Sequence, residues 1–167
     1  MEKVLDKFLR YVAVDTQSNP ESESQPSAAK ELDLLRMLKD ELVASGVTFK
    51  SETDTEVVTH LLEKYYTGDV FSAVSKTISR LEGSYSLGII CKEHPDTLYA
   101  VRHFSPLIIG LGAKNNYIAS DVTALISYTK SVIYIEDGEI AVITKDKVDL
   151  FTPDGAEINR DISHIGW

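Results

Sequence analysis

Apolar positions fall into two regimes along the chain. Up to about Gly83 they recur every three to four residues, and beyond it they gather into short runs divided by turn formers. The first stripe, Val4, Leu5, Phe8, Leu9 and Val12, places one apolar face on a helix ending near Asp15. TQSNPESESQPS then displaces every large apolar residue with Ser, Pro, Asn, Glu and Gln, which predicts a loop. A second helix is expected from about Ser27 to Ser45 on Leu32, Leu35, Leu38 and Leu42, with Gly46 as its left-handed stop. SETDTE supplies a capping box, Thr53 as N-cap and Glu56 three residues later, ahead of Val57, Val58, Leu61 and Leu62. That third helix is expected to run to Gly68. Asp69 caps a fourth, with Val70, Ala73, Val74, Ile78 and Leu81 as its buried stripe and Gly83 as its stop.

After Gly83 the period switches to that of strands. SYSLGIIC, TLYAVRH, LIIGLG and NYIAS are β-branched or aromatic runs, separated by the turn formers HPD and KNN. Ser120 or Asp121 can cap a short helix through Leu125. SVIYIE, Asp137-Gly138 and EIAVIT form the strongest hairpin signal in the chain, and KVDLFT and AEINRDI continue the meander past Pro153-Asp154-Gly155. There is no repeat, heptad run or low-complexity tract.

The words VTFKSETDTEVV, LEGSYSLGII, FSPLIIGLG, NYIASDVTALI and YIEDGEIAVIT, in this order and spacing, resemble the glutaminase domain of glucosamine-6-phosphate synthases, the glutamine:fructose-6-phosphate aminotransferases. The resemblance runs from about Ser51 to Trp167, and ISHIGW is similar to the stretch where such a domain passes into a linker. It implies an α+β fold: a partial N-terminal-nucleophile (class II glutamine amidotransferase) αββα sandwich, two stacked antiparallel sheets with helices on the outer faces, here preceded by two helices. Met1 to about Gly46 resembles instead the start of peptidase T, a zinc-dependent tripeptidase, with FLRYVAVDTQS as the most specific words. The expected organisation is therefore a mosaic. Residues 1–46 form a peptidase-T-like helical segment and residues 47–167 a partial glutamine amidotransferase type 2 domain, with the junction between about Met37 and Thr48.

The resembled family attacks the glutamine amide with the thiol of an N-terminal Cys whose own α-amino group is the base. Here the chain opens Met1-Glu2, and an initiator Met before a side chain as large as Glu is normally retained. No RWATHG-like or HNG-like words precede Ser51, so the expectation is that no catalytic residue is present. The resemblance carries over one site residue, Asp54 in SETDTE, which matches the carboxylate that grips the α-ammonium of bound glutamine. A first-turn carboxylate also stabilises a helix without any ligand.

Cys91 ends the apolar run GIIC and reads as an inert small hydrophobe rather than a nucleophile, and Lys92 points to the opposite strand face. His60, His94, His103 and His164 share no metal-ligand spacing and read as surface or interface residues; no metal and no cofactor is implied. GLGAKN lies between two strands, whereas a phosphate cradle opens a helix, so it reads as a turn.

Charge narrows the partners. A formal net charge of -9 and a pI near 4.9 argue against nucleic acid and anionic membrane surfaces. One cysteine excludes an internal disulfide and fits the cytoplasm, and no run reads as a signal peptide or membrane span. Two functions stand side by side. One is a partial glutaminase domain, whose family releases ammonia from glutamine for amination of fructose 6-phosphate, here without activity. The other is a non-catalytic interaction or oligomerisation module produced by a rearranged mosaic gene. Expected partners are glutamine, and either further copies of the chain in a homo-oligomer or a companion chain that completes the sheet through an exposed edge.

Overall fold

The computed structural model describes residues 33–51 and 53–166, apart from the side chains of Leu34, Leu35 and Asp54. The expected first helix, the loop after it and the opening of the second helix lie outside these residues. The described chain forms two compact units, divided between Gly83 and Ser84.

The first unit is helical: α1 (Asp33–Ala44), α2 (Asp54–Tyr65) and α3 (Val70–Ile78). α1 ends as its sequence predicts. Gly46 adopts φ +94°, its N–H donates to the Val43 carbonyl at 2.9 Å, and the Val47 N–H donates to the Leu42 carbonyl at 3.0 Å. These two bonds satisfy carbonyls that the last helical turn leaves open. Leu38 and Leu42 of α1 pack with Val57 and Leu61 of α2, and Val47, Phe49 and Tyr65 close in around them. Asp69 caps α3 by accepting the Phe71 N–H at 3.0 Å. α2 and α3 both stop short of the glycines expected to end them. After Ile78 the chain continues in tight turns, Arg80 N–H to the Thr77 carbonyl at 2.9 Å and Leu81 N–H to the Ile78 carbonyl at 3.2 Å. Leu81, expected on the α3 stripe, thereby joins the α1–α2 cluster.

Among its described residues the second unit holds nine strands: β1 (Tyr85–Cys91), β2 (His94–His103), β3 (Ile108–Leu111), β4 (Asn116–Ala119), β5 (Ser131–Tyr134), β6 (Ile140–Ile143), β7 (Val148–Phe151), β8 (Glu157–Ile158) and β9 (Ser163–His164). They make two sheets, β1-β2-β6-β7-β8 and β4-β3-β5-β9, antiparallel at every pairing. Ala100, Ala141 and Leu150 of the first sheet share one core cluster with Ile109, Ile133 and Ile135, so the sheets lie face to face. A 3-10 turn at Val122–Ala124, capped by Asp121 accepting the Thr123 N–H at 2.7 Å, leads to Leu125. Leu125 packs with Ile108 and Val132 on the other face of the four-stranded sheet.

Two turns differ from expectation. The Asp137-Gly138 segment is a tight turn with Gly138 at φ +82°, yet the strands on either side do not pair with each other. β5 pairs with β3, and β6 pairs with β2. Arg102 at the end of β2 is the reason. Its carbonyl accepts the Gly138 N–H at 2.8 Å, its guanidinium donates to the Ile135 carbonyl at 3.3 Å, and it pairs with Asp137 at 2.7 Å. The turn is thus fastened to β2, and the outgoing strand joins the β2 sheet. HPD is not a turn either: the hairpin reverses at Lys92-Glu93, and Cys91 stands opposite His94. Pro95, Asp96 and Thr97 bulge out between that pair and Ile90–Leu98, which spares the proline nitrogen a ladder bond it cannot make.

Three segments cross between the sheets, around Phe104–Leu107, Glu136–Glu139 and Asn159–Ile162. They meet at one end. The Phe104 N–H donates to Asp137 Oδ1 at 3.1 Å, and Arg160 pairs with Glu136 at 2.6 Å and also with Glu139. AEINRDI, expected as a strand, gives only the two-residue β8 before it crosses.

Candidate functional site

Asp54 is the first residue of α2, and the turn that delivers it is built by Glu56. The expected capping box takes another form. Thr53 makes no side-chain cap bond, although it sits in the extended conformation of an N-cap at φ -79°, ψ 141°. Glu56 reaches back past it: Oε1 accepts the Lys50 N–H at 2.8 Å and Oε2 the Ser51 N–H at 2.7 Å, while the Ser51 hydroxyl donates to Oε2 as well. Thr53 fails as a side-chain cap because its hydroxyl lies against the Ser51 hydroxyl, 3.0 Å away. The Ser51 hydroxyl, followed by the Lys50 N–H, holds the Glu56 carboxyl down at about 2. This double clamp fixes residues 50–53 ahead of a helix whose N-terminal end carries partial positive charge.

His60, one turn further along α2, lies 3.4 Å from Glu56 through Nε2 and 3.4 Å from Glu63 through Nδ1, with its ring edge-on to Phe49 at 4.9 Å. It is a half-buried brace, not a loose surface residue. Ser51, Glu56 and His60 are residue types found in hydrolytic triads, but the order is wrong. The serine hydroxyl bonds to the carboxylate and the imidazole is on the carboxylate's far side, so no imidazole can take the serine proton. A carboxyl ionised down to about 2 is also a feeble base at neutral pH. The constellation fixes the turn ahead of α2.

Cys91 stands at the end of β1, half-buried, with its thiol donating to Glu93 Oε2 at 3.1 Å. Nucleophilic thiols are set beside cations or imidazoles that favour the thiolate, and this one faces a carboxylate. It is less buried than a core hydrophobe would be. Of the remaining histidines, His103 stacks between Phe104 (centroids 4.1 Å) and Tyr85 (5.7 Å), His164 meets the Ser131 hydroxyl at 3.2 Å, and His94 is exposed. Among the described residues no group of three or more His, Cys, Asp and Glu is placed to hold a metal ion. Gly112 closes the GLGAKN turn by donating to the Asn115 carbonyl at 3.1 Å, where a Cβ would collide with that same oxygen. The sequence reading missed Ser51 and the backbone of Lys50 as the partners of Glu56. A carboxylate five residues after a serine was the available signal, and it was overshadowed by the Thr53–Glu56 spacing.

At the hairpin end of the sandwich an open groove of about 220 Å³ runs between Ile90, Pro95, Leu98 and Ile143 on the apolar side and Asn116 and Lys145 on the polar side. Asn116 steadies it by donating to the Thr144 carbonyl at 2.8 Å. No described helix is long and apolar enough to cross a membrane.

A family model for a glutamine amidotransferase domain matches residues 20–127. The glutamine–fructose-6-phosphate aminotransferase (isomerizing) of Clostridium tetani is 47% identical over 130 residues, which are 78% of this chain and 21% of that protein. Its namesake from Fusobacterium nucleatum is 45% identical over the same shares, and that of Thermotoga maritima is 40% identical over 132 residues, 79% of this chain and 22% of the relative. The chain thus spans about a fifth of the length of these curated relatives. Among solved structures, the glutamine phosphoribosylpyrophosphate amidotransferase of B. subtilis superposes with a TM-score of 0.62 at 23% identity, covering 71% of this chain and 26% of that one. A structure described as the allosteric regulatory enzyme of purine biosynthesis gives 0.61 at 22% identity over 71% and 26%. At such identities the likeness is one of fold, the N-terminal-nucleophile fold of glutamine amidotransferases.

Proposed function

Because the chain belongs to the glutamine amidotransferase domain family, with homology to the glutaminase part of glucosamine-6-phosphate synthase, we propose that it contributes a glutamine-orienting carboxylate, Asp54, while these 167 residues alone release no ammonia. Asp54 begins α2 behind a turn clamped by Glu56, so its backbone position is fixed before any ligand arrives. A carboxylate there offers a partner for the α-ammonium of glutamine, and the positive end of the helix suits the α-carboxylate beside it.

The observation that carries the absence of activity is the setting of Cys91. Amide cleavage needs a nucleophile to attack the carbon, a base to take its proton and pass it to the departing ammonia, and donors for the oxyanion. The single thiol of the sequence is on a hairpin, where its hydrogen bond goes to the Glu93 carboxylate. Amination of fructose 6-phosphate, named for the relatives, belongs in this reading to a longer assembly in the cytoplasm. In it, residues 47–167 act as the glutaminase-like part and residues 1–46 as the peptidase-T-like one.

Ammonia release from glutamine and a glutamine titration followed by NMR test both halves. Expected are no ammonia above the buffer blank from the chain or from Cys91→Ala, and shifts at the start of α2 that vanish in Asp54→Asn. Release that persists in Cys91→Ala demands another nucleophile, release abolished by it makes Cys91 that nucleophile, and either result overturns the reading.

A further inference from the structure

Among the described residues β1 and β4 are the outer strands of their sheets, and they lie against each other on the same side of the sandwich. A Cβ added at Gly88 of β1 would meet Ile118 Cδ1 of β4 at 2.8 Å. Ser86, Gly88 and Ile90 share the strand face that looks toward β4, all three are exposed, and Ile90 is 73% exposed beside the apolar wall of the groove. Edge strands in soluble proteins are ordinarily guarded by charge, proline or shortness. β1 has none of these: its seven residues, YSLGIIC, contain no charge and no proline, and NYIA of β4 is equally bare.

We infer that β1 pairs antiparallel with β1 of a second copy of this chain, around a two-fold axis at Gly88. The strand is its own complement in that register. Ser86 stands opposite Ile90 of the partner subunit, Leu87 opposite Ile89 of the partner subunit, and the two glycines meet without side chains between them. Small thus faces large on one side of the ribbon, and aliphatic faces aliphatic on the other. Charge favours the same occupant. A chain of net charge -9 repels its copies over most of its surface, and an uncharged strand is where two such chains can approach; a basic partner would be drawn elsewhere. The pairing joins the two five-stranded sheets into one and brings both copies of Ile90 out of water.

The inference rests on the β unit and not on glutamine chemistry, so the two readings fail separately. The test is the mass of the full chain by size-exclusion chromatography with light scattering, from micromolar to near-millimolar concentration. Expected is twice 18.5 kDa for the wild type and the single mass for Ile90→Lys and, independently, for Ser86→Lys. Both positions are exposed, so each variant should keep the wild-type circular dichroism. A Ser86→Cys, Ile90→Cys, Cys91→Ala chain should form a reducible covalent dimer on oxidation. Its two cysteines are about 13 Å apart along one strand and cannot close on themselves. A wild type that stays single at every concentration, a dimer indifferent to both lysines, or a failure to cross-link overturns the proposal.

Discussion

Two of the three crossings between the sheets meet at Glu139, and its removal should be felt in both. Glu139 is 8% exposed, accepts the Glu136 N–H through Oε2 at 2.7 Å, and pairs with Arg160 through Oε1. Glu139→Ala strands that N–H in a part-buried turn, which costs about 1–3 kcal/mol. It also deletes an ion pair whose arginine is a quarter exposed, worth about 1 kcal/mol or less. The sum is about 1–4 kcal/mol. With a urea slope of about 2 kcal/mol per molar, the unfolding midpoint should fall by about 0.5–2 M. Glu139→Gln keeps a carbonyl oxygen for Glu136 and loses only the charge, so its midpoint should fall by about 0.5 M or less. Urea titrations of the three proteins by circular dichroism decide it. A Glu139→Ala midpoint within about 0.2 M of wild type, or one no lower than that of Glu139→Gln, would refute the claim that this carboxylate holds the crossing together.

Two further outcomes follow from local geometry. Glu56 is held at about 2 by Ser51 and Lys50, below an unfolded value near 4.5, so its contribution to stability is complete above about pH 5 and fades as pH falls toward 2. The stability difference between wild type and Glu56→Gln should shrink over that window, and a carboxyl titration midpoint near 4.5 by NMR would contradict the clamp. Gly46→Ala should cost about 1 kcal/mol through backbone strain alone, since φ is +94° and an added Cβ has open space; a neutral urea midpoint would show that the α1 stop does not need the left-handed residue.

Much of this fold was legible from local pattern. The Gly46 stop, the Asp69 and Asp121 caps and the positions of most strands follow from short-range rules, because each depends on atoms a few residues apart. The Asp137-Gly138 hairpin misled because turn chemistry predicts a reversal and says nothing about which sheet receives the outgoing strand. That choice is made by Arg102, more than thirty residues earlier in the chain. Likewise Thr53 and Glu56 have capping-box spacing, and the structure diverts Glu56 to Lys50 and Ser51, a rearrangement that spacing cannot register. For the candidate site, the sequence located Asp54 at the start of a helix, and the backbone agrees. The brace behind it emerged only in three dimensions.

The gathering of all three crossings at one end makes the two ends of the sandwich unequal before sequence change. The hairpins at the other end, at Lys92-Glu93, at Gly112–Asn115 and between Ile143 and Val148, each join neighbours within a single sheet. Residues inserted there lengthen a loop and leave every pairing where it was. An insertion near Asp137 or Arg160 would instead slide one sheet against the other, so variation in length among descendants of this chain should collect at the hairpin end.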